Sequence, residues 1–163
     1  MLHFASPAHP DAIVITKAMT ASTIAEIYIE EEEILVELEI GGQDLEGFRN
    51  LMPDPVYQRM GHEPRPWIER LTEFFGQDLV IRANGGSPLS GRLVSIEPRE
   101  RVPRDEITGE PLPVPEGEGE PVVFAELVYE LPARPETMSI SPPTGQGGVS
   151  QASIGFMTYH HGV

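Results

Sequence analysis

Residues 23–40 read TIAEIYIEEEEILVELEI, and this stretch decides the class of fold. Apolar residues recur at every second position on both sides of the run Glu30–Glu33, in the sets Ala25/Ile27/Ile29 and Ile34/Val36/Leu38/Ile40. Because successive side chains of a strand point to opposite faces, this spacing is typical of two strands that are each buried on one face. The four glutamates fall where the connection between the strands would lie. The stretch therefore predicts a β-hairpin with one apolar face and one acidic face.

The rest of the chain adds shorter strand patterns, which alternate with turn-forming residues. They cover residues 12–15, 79–83, 91–97, 122–131, 137–141 and 150–160. Asn84-Gly85-Gly86 follows the second of these patterns, and Asn-Gly between apolar runs is a strong turn signal. We expect the last strand, at 150–160, to present a sheet edge.

One clear helix is predicted over residues 65–75, between the hairpin and the later strands. Its large apolar residues fall at helical spacing and predict one buried stripe. They are Trp67, Ile68, Leu71, Phe74 and Phe75. A shorter helix is predicted after Asp44, which stands in the position of an N-cap.

These patterns predict a mainly β fold: an antiparallel, β-sandwich-like domain with one or two short inserted helices. An α+β fold is the alternative. The length of 163 residues fits a single domain over residues 1–163, with residues 1–20 as an N-terminal extension. Residues 98–121 contain six prolines and read PRERVPRDEITGEPLPVPEGEGEP. Such a segment buries little apolar surface, so it is predicted to be a loop with a small turn at Asp105–Gly109.

The composition excludes several classes of function. Lys and Arg number 11 against 26 Asp and Glu, and the formal net charge of −15 disfavours nucleic acid and anionic membranes. The chain has no cysteine, which removes thiolate catalysis and disulfides. Its apolar runs are shorter than a membrane-spanning helix needs, so no direct membrane insertion is predicted. Residues 1–17 lack the features of a signal peptide. Since residues 149–163 end within a predicted strand, we expect a piece of a longer protein.

The acidic hairpin makes divalent-metal binding one hypothesis, with Glu31, Glu33, His160 and His161 as candidate ligands. Carboxylates suit hard cations such as Ca²⁺, and histidines suit zinc. Neighbouring residues of a strand point to opposite faces, however, and the calcium-loop and H-E-x-x-H patterns are absent from the sequence. A zinc site would need ligands from distant segments, such as His62, His160 and a glutamate. A solvated hairpin tip is the competing interpretation.

No catalytic residue and no cofactor are predicted, so we expect a protein that is not an enzyme. The segment GSPLSG at 86–91 resembles a G-x-S-x-G nucleophile elbow only superficially. The many acidic residues do not single out a catalytic pair. The local concentration of positive charge, RERVPR at 99–104, is predicted to pair with the chain's own glutamates rather than with an acidic partner.

Two blocks of sequence resemble a known domain: IAEIYIEEEEILVELEI at 24–40, and ETMSISPP at 136–143 with ASIGFMTYHHGV at 152–163. Their order resembles the extracytoplasmic N-terminal β-domain of HupE/UreJ-like bacterial membrane proteins. The resemblance implies a non-catalytic, periplasmic domain that is tethered to a membrane portion of a longer chain. The leading functional hypothesis is therefore an accessory or interaction domain of a bacterial envelope protein. Its sheet edge near 150–160 would receive a protein partner or the remainder of its own chain.

Overall fold

A computed structural model describes residues 20–105, 107–144 and 152–160, and the fold it shows is mainly β. The strands are β1 (Thr23–Ile29), β2 (Glu33–Gly41), β3 (Val80–Ala83), β4 (Gly91–Arg101), β5 (Glu120–Glu130), β6 (Met138–Ser141) and β7 (Ile154–His160). They form a five-stranded sheet in the order β4-β5-β2-β1-β7 and a two-stranded sheet of β3 and β6. The predicted strand at 12–15 lies outside the described residues.

The helices lie together between β2 and β3, as predicted. Two are α-helical, α1 (Asp54–Arg59) and α2 (Trp67–Glu73), and two short 3₁₀ turns precede them at Gly42–Asp44 and Arg49–Leu51. α2 continues into a π-helical turn, Phe74–Asp78. Within the described ranges, no helix is both long enough and apolar enough to cross a lipid bilayer.

The hairpin prediction is confirmed. β1 and β2 pair in antiparallel register, with Ile27 opposite Val36, and the N–H of Glu30 donates to the C=O of Glu33 (2.9 Å). The predicted inward set is buried except for the half-buried Ile29. The opposite face carries Glu26, Glu37 and Glu39. Side-chain alternation therefore assigned both faces of these strands correctly.

The prediction of an antiparallel sheet is wrong for one pair, because β7 runs parallel to β1. Both strands begin at the buried carboxylate of Asp44. It accepts a hydrogen bond from Thr23 Oγ1 (2.7 Å) and another from the N–H of Ser153 (3.2 Å). The N–H of Thr23 also donates to the C=O of Ser153 (3.0 Å). Two strands that start side by side must run in the same direction, and Asp44 is the anchor of both. The prediction of Asp44 as the N-cap of a short helix is wrong, because it ends the 3₁₀ turn Gly42–Asp44 and its carboxylate bonds to the strand starts instead.

One apolar core joins the inner face of the large sheet to the helical segment. Tyr129 of β5 is fully buried, and its hydroxyl donates to the C=O of Leu79 (2.8 Å). Its ring meets that of Phe75 edge to face, with the centroids 5.2 Å apart. Phe75 also packs directly on the backbone of Gly91, the first residue of β4. The end of the helical segment is thus held against two neighbouring strands, β5 and β4.

The predicted apolar stripe of the helix is wrong at Ile68, which is 71% exposed. Its place in the core is taken by Arg70, which is fully buried. The α-helix ends at Glu73, and the wider π turn that follows changes the phase, so that Phe74 and Phe75 are buried from a different angle. The predicted stripe is thus wrong at Ile68 alone, because Trp67 and Leu71 are half-buried and Phe74 and Phe75 are buried.

Arg70 is tolerated in the core because its guanidinium is fully engaged. It lies over the rings of Tyr57 (4.2 Å) and Trp67 (4.7 Å) and donates to the C=O of Met52 (2.8 Å). It also pairs with Asp54 at the start of α1. A buried charge costs free energy unless it is paired and hydrogen-bonded, and these contacts meet that condition. Arg70 thereby joins α2 to α1.

The predicted loop at 98–121 is wrong at both ends, because β4 continues to Arg101 and β5 starts at Glu120. Arg101 stabilises this longer pairing: its guanidinium donates to the C=O of Ser22 (2.6 Å) and to the carboxylates of Glu39 and Glu120 (3.2 Å each). The connection is therefore residues 102–119. Its small turn is confirmed among the described residues, since Asp105 Oδ1 accepts from the N–H of Thr108 (2.8 Å).

Pairing of the arginine cluster with the chain's own glutamates is confirmed. Arg99 pairs with Glu97, and Arg101 pairs with Glu39 and Glu120. Arg104 reaches Glu26 of β1 at 3.6 Å. The one basic segment of the sequence is thus used to fasten the connection after β4 to the acidic face of the sheet.

We predict that Gly91→Ala destabilises the fold, whereas Gly42→Ala does not. A β-carbon at Gly91 would overlap the buried ring of Phe75, while nothing lies within 4 Å of one at Gly42. Overpacking of a core costs about 1–3 kcal/mol, and a surface change stays within about 0.5 kcal/mol. Urea unfolding of both variants measures the difference. Equal stability of the two would contradict the packing of Phe75 on β4.

Candidate functional site

The edge strand β7 is the candidate functional site. It is the last strand of the five-stranded sheet, and β1 is its only strand partner among the described residues. Its sequence, IGFMTYH, contains no proline and no Asp, Glu, Lys or Arg. An unprotected edge of this kind presents backbone donors and acceptors to any extended chain that approaches it.

The opposite edge, β4, carries the usual protections against such pairing. Its register with β5 is interrupted by a bulge between Leu93 and Ser95. Pro98 removes a backbone donor, and charged residues fill most of the second half of the strand. Bulges, prolines and charges all discourage edge-to-edge association. The two edges of one sheet are therefore built differently, and within residues 20–105, 107–144 and 152–160 β7 is the open one.

The backbone groups that β7 presents outward can be identified from its register. Ser153 directs its C=O toward Thr23 of β1. Hydrogen-bonding direction alternates along a strand, so residues 155, 157 and 159 also bond to β1. The N–H and C=O of Ile154, Phe156 and Thr158 therefore point away from β1. An added strand would bond to these three residues.

A groove of about 540 Å³ lies on the inner side of this edge. Its floor is formed by Ile29 of β1 with Phe156 and Thr158 of β7, and its wall by Met138 and Ile140 of β6. The four apolar side chains are half-buried. Residues 134–137, which include Arg134 and Glu136, complete the lining, so the groove has a charged side as well as an apolar one.

The rim of the groove is held by the turn after β3. Asn84 adopts a left-handed conformation (φ 51°), followed by Gly85 (φ 66°), as the Asn-Gly signal predicts. The side-chain oxygen of Asn84 accepts from the N–H groups of Glu136 (2.9 Å) and Thr137 (3.2 Å). This turn fixes Glu136 and Thr137, which form one side of the groove together with Arg134 and Pro135. The rim is therefore a preformed part of the fold.

The outer face beside β7 combines an aromatic pair with a row of carboxylates. The rings of Tyr28 and Tyr159 stack with centroids 5.0 Å apart, and the Tyr28 hydroxyl donates to Glu26 (2.6 Å). Across three neighbouring strands, Glu26 is opposite Glu37, and Glu37 is opposite Glu126. We call Glu26, Glu37 and Glu126 the acidic row. Met157 of β7 lies next in line.

The electrostatics of the acidic row are unfavourable. Partial burial, followed by the charges of Glu26 and Glu126, raises the pKa of Glu37, and Arg99 on β4 only partly offsets this. Burial together with the hydrogen bond to Glu26 raises the pKa of the Tyr28 hydroxyl. Like charges placed directly opposite each other destabilise a sheet. The row thus concentrates negative potential one strand away from the open edge.

The predicted metal ligands are only partly placed by the structure. Glu31 and Glu33 are exposed at the hairpin tip, and His160 ends β7 opposite Ile29. His161 lies outside the described residues. Over the part of the chain that the structure describes, no group of three or more His, Asp or Glu side chains could hold a metal ion.

His62 instead contacts Glu46 (3.0 Å) and stacks on Tyr57. Metal binding stays a prediction.

Sequence reasoning identified the sheet edge at 150–160 but missed the acidic row and the groove. The glutamates of the row are separated by up to 100 positions and come together through strand order, which the sequence does not state. The only sequence signal is a glutamate flanked by apolar residues in each strand. The groove needs β6 to lie beside β7, and β6 is paired with β3 rather than with the large sheet.

We predict that Glu37→Gln stabilises the protein at neutral pH by about 0.2–1 kcal/mol, the usual range for a cross-strand pair. The folded chain binds the Glu37 proton more tightly than the unfolded chain does. Stability therefore falls as pH rises from the ordinary pKa of 4.5 through the raised folded-state value, and the full penalty is present at neutral pH. Below 4.5 the gain should vanish, because wild type is then protonated.

Urea unfolding at neutral and acidic pH measures this gain, with Glu63→Gln, an exposed residue of the helical segment, as the charge-matched control. A similar gain in both variants would show that net charge, and not the acidic row, is responsible.

Comparisons with known proteins leave function to be inferred from this geometry. No protein-family model, no curated protein and no solved structure matches the chain. The resemblance to the N-terminal domain of HupE/UreJ-like proteins is not tested by these comparisons and stays a prediction. We therefore infer function from the open edge of β7 and the groove beside it.

Proposed function

We propose that this chain is a non-catalytic interaction domain that binds an extended segment of a partner polypeptide as an added strand along β7. The observation that carries the proposal is the contrast between the two sheet edges. β4 has a bulge, a proline and charges, whereas β7 has none of these within Ile154–His160. Strand addition gives affinity through main-chain hydrogen bonds and specificity through pockets for alternate side chains.

The groove supplies the second requirement of this binding mode. Inward-facing side chains of an added strand would cover the half-buried Phe156, Met138 and Ile140. Burial of apolar surface contributes about 25 cal/mol per Å², so even a short strand gains from these contacts. The rim is already fixed by the side chain of Asn84. Less ordering is then required on binding, which favours affinity.

The proposal includes the setting implied by the sequence resemblance. The domain would belong to a larger bacterial envelope or membrane protein, on the periplasmic side, with the membrane tether in another part of that protein. In this proposal the five-stranded sheet and the β3–β6 sheet are the two layers of a sandwich-like domain. The support is the order of the acidic hairpin and the late strand block, together with an edge strand at the position that the alternation at 150–160 predicts.

We predict that Thr158→Pro abolishes strand addition while Thr158→Val preserves it. The N–H of Thr158 points away from β1, so proline removes a donor of the open edge and keeps the pairing with β1. The affinity of an added strand should fall about tenfold or more from the lost hydrogen bond and the steric block. Peptides selected from a random display library on wild type provide the probes, and fluorescence anisotropy measures their binding to both variants.

Circular dichroism verifies that the proline variant is folded. If it is not, Ile154→Pro replaces it, because the first residue of a strand tolerates proline and its N–H also points outward. Failure to select any peptide, or selected peptides that bind both Thr158 variants equally, would refute strand addition at β7.

A further inference from the structure

We infer that the strand received by β7 alternates aliphatic with basic residues, the aliphatic side chains facing the groove and the lysines or arginines facing outward. This inference rests on the proposed function and names the chemistry of the ligand. The occupant is a basic, extended segment of a partner protein. Each of its two faces is specified by a different set of residues beside β7.

The inner face of the added strand is specified by the groove. Phe156 is opposite Ala25 and Thr158 is opposite Ile27, so the row of inward side chains runs from β1 across β7 to the added strand. The next position in this row lies over Met138 and Ile140 of β6. An aliphatic side chain there would cover the half-buried side chains of Met138 and Ile140 and extend the apolar core. The charged residues that line the groove, Arg134 and Glu136, belong to the side formed by residues 134–137.

The outer face is specified by the acidic row. Met157 is opposite Glu26, so an outward residue of the added strand would lie two strand spacings, about 10 Å, from the backbone of Glu26. Met157 is itself buried, and Glu26 already pairs with Arg104 (3.6 Å) and accepts from the Tyr28 hydroxyl. An outward lysine or arginine would therefore meet the net negative potential of the acidic row rather than a free carboxylate. The exposed ring of Tyr159, in the next outward position, offers a cation a further favourable contact.

The hairpin tip extends the negative potential along the same edge. His160 ends β7 opposite Ile29, so the exposed run Glu30–Glu33 begins immediately beyond that end of the strand. The whole chain carries a formal charge of −15. A second copy of the chain would bring an equal negative charge to the edge, which disfavours self-association there. A basic partner is complementary to this exposed glutamate run and to the net charge of the chain, although Arg104 on the outer face and Arg134 in the groove are also basic.

Three capped peptides test the inference by fluorescence anisotropy at low salt. They are Lys-Val-Lys-Val-Lys-Val-Lys, its glutamate counterpart Glu-Val-Glu-Val-Glu-Val-Glu, and Lys-Thr-Lys-Thr-Lys-Thr-Lys. We expect the lysine–valine peptide to bind at least about tenfold more tightly than either other peptide, with the preference over glutamate shrinking as salt screens the charges.

Glu26→Gln should reduce the preference for the lysine–valine peptide over its glutamate counterpart, and Glu63→Gln should leave it unchanged. Thr158→Pro should abolish binding of the lysine–valine peptide, and Thr158→Val should not.

Each other outcome overturns the inference in a distinguishable way. Equal binding of the lysine–valine and glutamate–valine peptides removes the charge preference but leaves strand addition intact. Binding that survives Thr158→Pro shows general electrostatic attraction away from β7. Absence of binding by the lysine–valine peptide refutes the ligand chemistry, while the display selection still decides the proposed function. Slow amide exchange at Ile154, Phe156 and Thr158 in the isolated protein would show that a second copy or another segment of the chain already covers the edge, and dilution separates the two.

Discussion

The carboxylate of Asp44 fixes the geometry of the β7 edge, on which the proposed binding mode depends. It is buried in the turn after β2 and accepts hydrogen bonds from Thr23 and Ser153, the residues at which β1 and β7 begin. Thr23 Oγ1 also accepts from the N–H of Gly41 (3.3 Å), the last residue of β2. Gly41 lies so close to the backbone of Ser22 that a β-carbon would collide with it. One carboxylate thus sets the position and direction of three strand ends.

The direction of β7 decides what the open edge can recognise. Parallel pairing with β1 turns the side chains of Phe156 and Thr158 inward and those of Met157 and Tyr159 outward. A slip of one residue would exchange these two sets, because side chains alternate between faces. The contacts of Asp44 with the starts of both strands prevent such a slip. The register of β7 and the ligand chemistry that we propose for it therefore depend on the same contacts.

The acidic row is costly for an isolated sheet, and the fold compensates for it only in part. Arg104 reaches Glu26, and Arg101 reaches Glu39 in the neighbouring position of β2. The pKa of Glu37 nevertheless stays raised by burial and by its acidic neighbours. Natural proteins retain unfavourable charge arrangements at functional sites more readily than elsewhere. A basic strand beside Met157 would relieve part of this repulsion, which gives the row a physical reason to persist next to an unprotected edge.

The sequence by itself determined the strands, the faces of the hairpin, the Asn84-Gly85 turn and the placement of an edge strand near 150–160, because alternation and turn chemistry are local properties. Only the tertiary structure decided four other features. Two concern the strands, which are the parallel direction of β7 and the continuation of β4 to Arg101. The other two concern side chains, which are the burial of Arg70 in place of Ile68 and the meeting of the three glutamates of the acidic row. Each of these depends on a long-range contact: a carboxylate shared by the starts of two strands, a guanidinium enclosed by two rings, an arginine bonded to two strands and to the residue before β1, and the order of strands in a sheet. Local patterns carry no information about such contacts, so the groove and the acidic row became visible only in the folded chain.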